Sequence, residues 1–430
     1  MDLLNLVDSR RNEIIELARS LVRIPSVAGE EGACQNFVSD RFRGLDVSVD
    51  VWEPDISQLK NHLGYSDIEK CEEQRLRSYE GRPNVVATIE GSGGGRSLIL
   101  NGHVDVVPSG SAEMWNHDPW GGEIEKGRLY GRGAVDMKGG LAAMIAAAEV
   151  ISEAGISFKG DLILESVVDE ETGGNGTLAC LLRGYAGDAA VFTEPSQLFG
   201  PGSIGIASRG ANQYRIKVRG KSGHPSTGYF KPDYVSAIDK AAKLLEAIKN
   251  FNSIRQEEGL RLNHPLYRMY SETNMIGVGK IRAGDWFSMM PDLCIIEGSL
   301  ECFPGEDLEE IKNKFADYID KFADLDPWMR KIPPETEFFG LQITATEVGA
   351  NEPIVTAVEN SVREVLKVEP KVFGFAAGSD QRIFTEYGRI PAVHFGPGGG
   401  GVHAADEFVL IKDVVDVTKV LLSTICKWCG

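Results

Sequence analysis

The sequence predicts an α/β protein with a smaller α+β domain set into it. Three observations carry this expectation. Over the first half, short and largely apolar runs of the kind found in buried parallel strands alternate with helical segments. Between Arg209 and Gly349 the rhythm changes to β-α-β-β-α-β, a compact two-layer pattern. The first style then resumes, so residues 1–208 and 350–430 belong to one domain and 209–349 to another inserted within it. A length of 430 residues suits two domains.

Taken in order, residues 3–23 place Val7, Ile14, Leu17 and Leu21 at helical spacing and stop at Ile24-Pro25. Residues 84–89 and 97–100 are β-rich, and the glycines between them (Gly91, Gly93, Gly94, Gly95) predict a hairpin turn. No Lys-Ser/Thr pair follows and no helix opens there, which argues against a phosphate loop. Residues 138–154 are helical and Ala-rich, and 161–168 and 189–193 are buried strands. Within the insert, strands are expected at 211–218, 274–281, 293–303 and 336–348, with helices at 233–250 and 307–322. A helix at 354–366 and strands at 372–375 and 392–395 complete the outer domain.

Composition narrows the function. A hydrophobic share of 42% and a charged share of 25% are ordinary for a globular protein. The balance of 63 acidic against 45 basic residues, a formal charge of -18, disfavours nucleic acid and anionic membranes as partners. No apolar run approaches the roughly 20 residues that span a bilayer. The first residues carry Asp2, Asp8, Arg10 and Arg11 and no signal-peptide core. Seven scattered cysteines make no disulfide framework, so a soluble cytoplasmic protein is expected. Cys426 and Cys429 form a lone terminal pair and read as incidental.

Five segments place metal-ligand residue types at or just past a strand end, where open α/β sheets build their sites. In Asn101-Gly102-His103-Val104-Asp105, His103 reads as a ligand whose other ring nitrogen Asp105 accepts, or as a loop histidine beside a turn aspartate. Asp136 sits at a strand-to-helix junction, as a ligand or a helix cap. Asp169-Glu170-Glu171 gathers three carboxylates after a buried strand, where a cation is a better counter-charge than a helix dipole. Glu194 before Pro195 is unremarkable alone. A glycine-rich loop, 396–401, delivers His403 either to a bound group or to solvent. Together His103, His403, Asp136, Glu171 and Glu194 are the N/O donor set for a pair of zinc-like ions. One aspartate can bridge ions roughly 3.5–4 Å apart, and Glu170 is left over as a candidate base.

These segments, in this order and over essentially the whole chain, resemble the dinuclear-zinc amidohydrolase and exopeptidase family. It includes acetylornithine deacetylase, succinyl-diaminopimelate desuccinylase, aminoacylase and bacterial glutamate carboxypeptidase. The resemblance implies a zinc-exopeptidase-like catalytic domain with an inserted lid and dimerisation domain. It also implies two divalent ions, zinc foremost with cobalt or manganese as substitutes. His103 and Glu194 would hold one and Glu171 and His403 the other, with Asp136 bridging. Asp105 would orient His103, Glu170 would act as general base on a water between the ions, and the Asp136-Met137 peptide bond would be cis. His224, in Ser222-Gly223-His224-Pro225, would reach the partner's active site in a homodimer. Asn274 and Arg382 would bind substrate, and Trp115 and Trp120 would pack.

One departure stands out. Many relatives carry an Arg on the strand before the Pro-Gly turn, whereas this chain reads Gly298-Ser299-Leu300-Glu301-Cys302-Phe303-Pro304-Gly305. If that Arg clamps a carboxylate, an α-amino-acid product is less favoured here. The leading expectation is hydrolysis of an N-acyl amide of the acetylornithine deacetylase kind, Glu194 favouring deacylases and carboxypeptidases over aminopeptidases. A dipeptidase or carboxypeptidase, a succinyl-diaminopimelate desuccinylase, and a formylaminopyrimidine deformylase of thiamine salvage are the alternatives. A non-catalytic binding protein with a relic site would have lost a ligand or the base, and this chain keeps them all.

Overall fold

The computed structural model describes residues 3–45, 47–70, 73–226, 234–270 and 275–430. The chain divides into two compact units, one of residues 1–207, 346–375 and 379–430, the other of residues 208–345 and 376–378.

The larger unit opens with helices α1 (Leu3–Ser9), α2 (Arg11–Arg23) and α3 (Gly32–Arg43), then strand β1 (Ser48–Trp52) and a short α4 (Ile56–Leu59). β2 (Asn84–Ile89), β3 (Leu98–His103), β4 (Glu123–Glu125) and β5 (Arg128–Tyr130) precede α5 (Gly139–Glu153). β6 (Leu162–Val167), α6 (Asn175–Arg183), β7 (Ala189–Phe192) and β8 (Ser203–Ser208) follow. The smaller unit contains β9 (Gly210–Arg219), α7 (Ala237–Leu262), β10 (Ile276–Ala283), β11 (Leu293–Cys302), α8 (Leu308–Ala323) and β12 (Glu335–Ile343). The chain then returns through β13 (Thr346–Glu347), α9 (Pro353–Leu366), β14 (Lys371–Phe375), β15 (Ala392–His394), β16 (Gly399–Gly400), β17 (Phe408–Leu410) and α10 (Ile411–Cys429).

Among the described residues the main sheet has nine strands, in the order β1-β2-β6-β3-β7-β15-β8-β13 with β14 beside β8. Its centre, β6, β3, β7 and β15, is parallel. Those strands are buried end to end because both faces are covered, and β7 and the first halves of β3 and β6 are accordingly apolar. Ile99, Ile163, Ala190, Phe192, Phe384 and Ala392 share one buried cluster. α5 is buried almost all round from Gly139 to Ile151, which explains its Ala-rich sequence: small side chains let helix and sheet approach closely.

The expected hairpin across Gly91–Gly95 does not form. β2 and β3 are not neighbours: β6 lies between them, antiparallel to β2 and parallel to β3. The glycines instead cross the strand end and lie against residues 159–160, where a Cβ on Gly91 would come within 2.5 Å of the Lys159 carbonyl oxygen. Local turn chemistry named a turn correctly, but partner choice belonged to the apolar strand from residue 162.

In the smaller unit the sheet order is β10-β11-β9-β12, all pairs antiparallel. β9 alternates, with Tyr214, Ile216 and Val218 buried. Tyr214 meets Phe315 of α8 with ring centroids 4.8 Å apart. On the other face Arg215 pairs with Glu337 at 2.8 Å, and Arg219 with Glu335 at 2.9 Å. α7 runs twelve residues beyond the expected end at 250, because Phe251 and Arg255 continue its buried face through a polar sequence. The strand expected at 336–348 is split, and its last part, β13, joins the main sheet.

A Cβ on Gly140 would lie 1.8 Å from the Thr193 carbonyl oxygen, backbone that cannot swing away. Gly140→Ala should therefore cost about 2–3 kcal/mol, read as a lowered thermal midpoint; an unchanged midpoint would refute the close approach. His394 is fully buried between Phe192 and Phe375, its Nε2 sharing a hydrogen bond with Ser379 Oγ at 2.8 Å. Burial pushes its pKa down from 6.5 to about 3. The unfolded chain therefore binds a proton that the fold rejects as pH falls below about 6.5, and stability drains away until about pH 3. His394→Asn should lose less stability than the wild type between pH 7 and pH 5; an equal loss would count against a neutral His394.

Candidate metal centre

The C-terminal ends of the parallel strands bring six of the expected residues together. His103 ends β3, Glu170 and Glu171 follow β6, and Glu194 follows β7. Asp136 lies just before α5, and His403 in the loop after β16. The Asp136-Met137 peptide bond is cis, as the resemblance implied. By distance the side chains form two groups, His103 with Glu170 and Glu194, and Asp136 with Glu171 and His403. Asp136 faces both: Oδ1 is 3.4 Å from His103 Nε2 and Oδ2 is 3.5 Å from His403 Nε2.

The tautomer of His103 tests what these groups suit. Its Nδ1 lies 2.8 Å from the main-chain oxygen of Asp105, which can only accept, so Nδ1 carries the proton. In the neutral ring Nε2 is then a bare lone pair, buried and without a hydrogen-bond partner among the described residues. It points among carboxylate oxygens of Asp136, Glu194 and Glu170 at 3.4, 3.5 and 3.9 Å. A lone pair facing three anions is repulsive unless a cation lies between them. These separations exceed normal hydrogen bonds but suit donors sharing an ion at about 2 Å from each. His403 Nε2, half exposed, shares a hydrogen bond with Glu171 Oε1 at 3.2 Å and lies 3.5 Å from Asp136 Oδ2. The donors present fit two divalent cations.

The electrostatics report the same demand for positive charge. Burial pushes Glu170 well above the ordinary carboxylate range, with Asp380 and Glu194 adding to it. Burial, reinforced by Asp136, pushes Glu194 up to about 7. Burial also raises Glu171. Burial alone would lower His403, but Asp136 and Glu171 outweigh it and push the ring up to about 11. His103 is raised the same way, by Asp136 and Glu194 against burial. Asp136 is held below its usual range, because the two histidines outweigh its own burial.

Asp105 acts differently from expectation. Its carboxylate is 3.6 Å from His103 Nδ1, too long for a hydrogen bond, and the ring is held by the main-chain oxygen instead. The carboxylate accepts the backbone N–H groups of Glu170 and Glu171 at 3.2 and 3.0 Å, fixing the loop that bears both glutamates. Glu407 plays the matching part for Asp136. It accepts the N–H groups of Gly133, Val135 and Asp136 at 3.0, 3.1 and 3.2 Å and pairs with Arg132 at 2.6 Å. Sequence reasoning missed Glu407, although its place four residues after His403 was visible. A carboxylate in a glycine-rich loop reads as solvent-facing until the structure shows it buried.

The remaining residues are placed as follows. Arg382, expected at the substrate, is fully buried and donates to the main-chain oxygens of Gly64 and Gly173 at 3.2 and 2.8 Å. It thereby grips the far end of the glutamate loop. His224 lies in the smaller unit, exposed, with Nδ1 accepting the Ser226 N–H at 3.1 Å. Asn274 lies outside the described residues. Trp115 and Trp120 sit against Arg132 and Lys138, 5.2 and 5.6 Å from the ring centroids. Cys426 and Cys429 are on α10, their thiols pushed up by burial, Cys429 to about 12, which is unlike a metal thiolate. Among the described residues no helix is long and apolar enough to cross a membrane.

With this geometry in hand, comparison with known proteins decides the family. The profile of peptidase family M20/M25/M40 matches residues 99–427. The chain belongs to this family. It is a metal-dependent amidohydrolase of the M20 type. It is 29% identical to the N-formyl-4-amino-5-aminomethyl-2-methylpyrimidine deformylase of Bacillus subtilis, over 99% of this chain and 96% of that protein. It is 27% identical to the succinyl-diaminopimelate desuccinylase of Wolinella succinogenes, over 96% and 99%. The dipeptidase Dug1p of Saccharomyces cerevisiae shares the fold, with a TM-score of 0.78 at 16% identity, covering 99% of this M20 chain and 98% of the other.

A site built around missing positive charge should gain stability from it. Zinc at a thousandfold over its Kd should stabilise the fold by about 4 kcal/mol, seen as a higher thermal midpoint that chelation reverses. A midpoint indifferent to both zinc and chelator would show that the carboxylate cage holds no ion.

Proposed function

We propose that the protein hydrolyses a small N-acyl amide, and that the acyl group is a formyl group on an amine lacking an α-carboxylate. The observation that carries the hydrolytic reading is the bare Nε2 of His103 among three carboxylates, of Asp136, Glu194 and Glu170. The substrate reading moves from the expected acetylornithine type to the deformylase type. Its support is the near full-length similarity to a formylaminopyrimidine deformylase. Glu301 supports it too: the strand β11 offers an acid paired with Arg209 at 3.1 Å, in place of an unengaged guanidinium that would attract a carboxylate.

In this reading His103, Glu194, Glu171, His403 and Asp136 would hold the two ions, and zinc is the best fit to the donors. When bound, such ions supply Lewis acidity towards the amide carbonyl and towards water. The chain's residues do the rest. Glu170, with Oε2 3.9 Å from His103 Nε2, takes the proton of the attacking water and returns it to the leaving amine. Asp105 keeps Glu170 and Glu171 in place through their N–H groups. His224, presented by a second subunit of a homodimer, would donate to the developing oxyanion. Arg382 acts by holding the Gly173 carbonyl, a supporting part, while Asn274 is kept as a substrate contact. The working compartment in this reading is the cytoplasm.

A desuccinylase is the second reading, favoured by the full-length similarity to the Wolinella enzyme. The deciding experiment supplies apoprotein with zinc, cobalt or manganese and offers N-formyl aminopyrimidine, N-acetylornithine, N-succinyl-diaminopimelate and dipeptides. Release of formate at the highest kcat/KM is expected. Preference for the succinyl substrate would replace the formyl reading, and no turnover across the panel would remove both. Glu170→Gln should keep two ions by metal analysis while kcat falls by about 10²–10⁴; retained turnover would take Glu170 out of the base role.

A further inference from the structure

The loop bearing Glu170 and Glu171 turns on a residue in an uncommon conformation. Asp169, fully buried, has φ of 70°, in the left-handed region that a non-glycine residue occupies when surrounding contacts hold it there. Its carboxylate is gripped by a distant part of the chain. The Tyr79 hydroxyl donates to Oδ2 at 2.7 Å, and Arg82 Nη2 approaches Oδ1 at 3.4 Å. Thr172 Oγ1 bonds to the same carboxylate from within the loop.

Arg82 is itself immobilised. It makes a two-pronged pair with Glu31, both contacts 2.7 Å, donates to the Ser78 carbonyl at 2.9 Å, and lies over the Tyr79 ring at 4.9 Å. Tyr79, Arg82 and Glu31 are all buried. The same connection between β1 and β2 also holds the end of the turn, where Ser66 Oγ donates to the Gly173 carbonyl at 2.9 Å. This brace lies ahead of residues 99–427, outside the stretch matched by the family profile.

We propose that Tyr79 and Arg82 are positioning residues for Glu170. By holding the Asp169 carboxylate they lock the left-handed turn, and the turn directs the next side chain to its place 3.9 Å from His103 Nε2. Asp105 fixes the loop through backbone N–H groups after the turn; Tyr79 and Arg82 fix the residue on which it pivots. The inference rests on Glu170 being the proton acceptor.

Tyr79→Phe tests it with the loss of one hydroxyl, leaving the ring beneath Arg82. kcat should fall at least tenfold with KM within twofold and metal content unchanged. In metal-free protein the amides of residues 170–174 should exchange hydrogen at least tenfold faster while those of β6 keep their rate. Unchanged exchange, or a kcat within twofold of the wild type, would overturn the proposal. If Tyr79→Phe does not fold, a pair at the pivot decides. Asp169→Asn keeps an oxygen acceptor and tolerates the left-handed turn, so it should lose less kcat than Asp169→Ala; equal losses would overturn the proposal. Glu170→Gln measured alongside separates the two readings. Full turnover there rejects Glu170 as proton acceptor, while the exchange rates still decide whether Tyr79 holds the turn.

Discussion

The structure depends on one electrostatic constraint: a buried imidazole lone pair set among carboxylates. His103 Nδ1 is committed to a main-chain oxygen, so Nε2 cannot turn away from Asp136, Glu194 and Glu170. Nothing polar among the described residues satisfies it. Such an arrangement is costly in the absence of a cation, because buried like charges repel and buried acceptors go unpaired. The raised pKa values of Glu170, Glu171 and Glu194 express that cost, and so does the pull of both histidines towards protonation.

Holding such a cage open requires that its loops cannot relax, and much of the surrounding chemistry serves that end. Asp105 and Glu407 spend their carboxylates on backbone N–H groups, of Glu170 and Glu171 in one case and of the Asp136 segment in the other. Arg382 spends its guanidinium on the carbonyls of Gly64 and Gly173. These charged groups touch main chain and fix where neighbouring ligands point, as supporting hydrogen bonds do around metal sites. The close approach of Gly140 to the Thr193 carbonyl ties the helix after Asp136 to the strand end before Glu194. The site is therefore braced from several sequence-distant segments at once.

Family membership and substrate choice rest on different parts of the molecule. The family match covers relatives named for different amides, so it establishes amide hydrolysis without naming the amide. Discrimination would fall to residues such as Glu301, whose pairing with Arg209 changes the charge that the smaller unit presents on β11.

The sequence by itself determined the fold class, the two-unit character, and the candidacy of His103, Asp136, Glu170, Glu171, Glu194 and His403. Each of those residues follows an apolar strand or opens a helix, and strand ends are legible because hydrophobic runs stop abruptly. Partner choice was not legible. The glycines at 91–95 signal a turn but cannot say that a strand from residue 162 will slip between the two they join. The parts played by Asp105, Glu407 and Arg382 were hidden for a related reason. A charged side chain in a loop looks solvated until the chain closes over it, and only tertiary structure decided that these three would grip main-chain atoms tens to hundreds of residues away. Ligand identity is a local property of residue type and strand ends; ligand placement is a long-range one, set by which segments are packed close enough to hold one another.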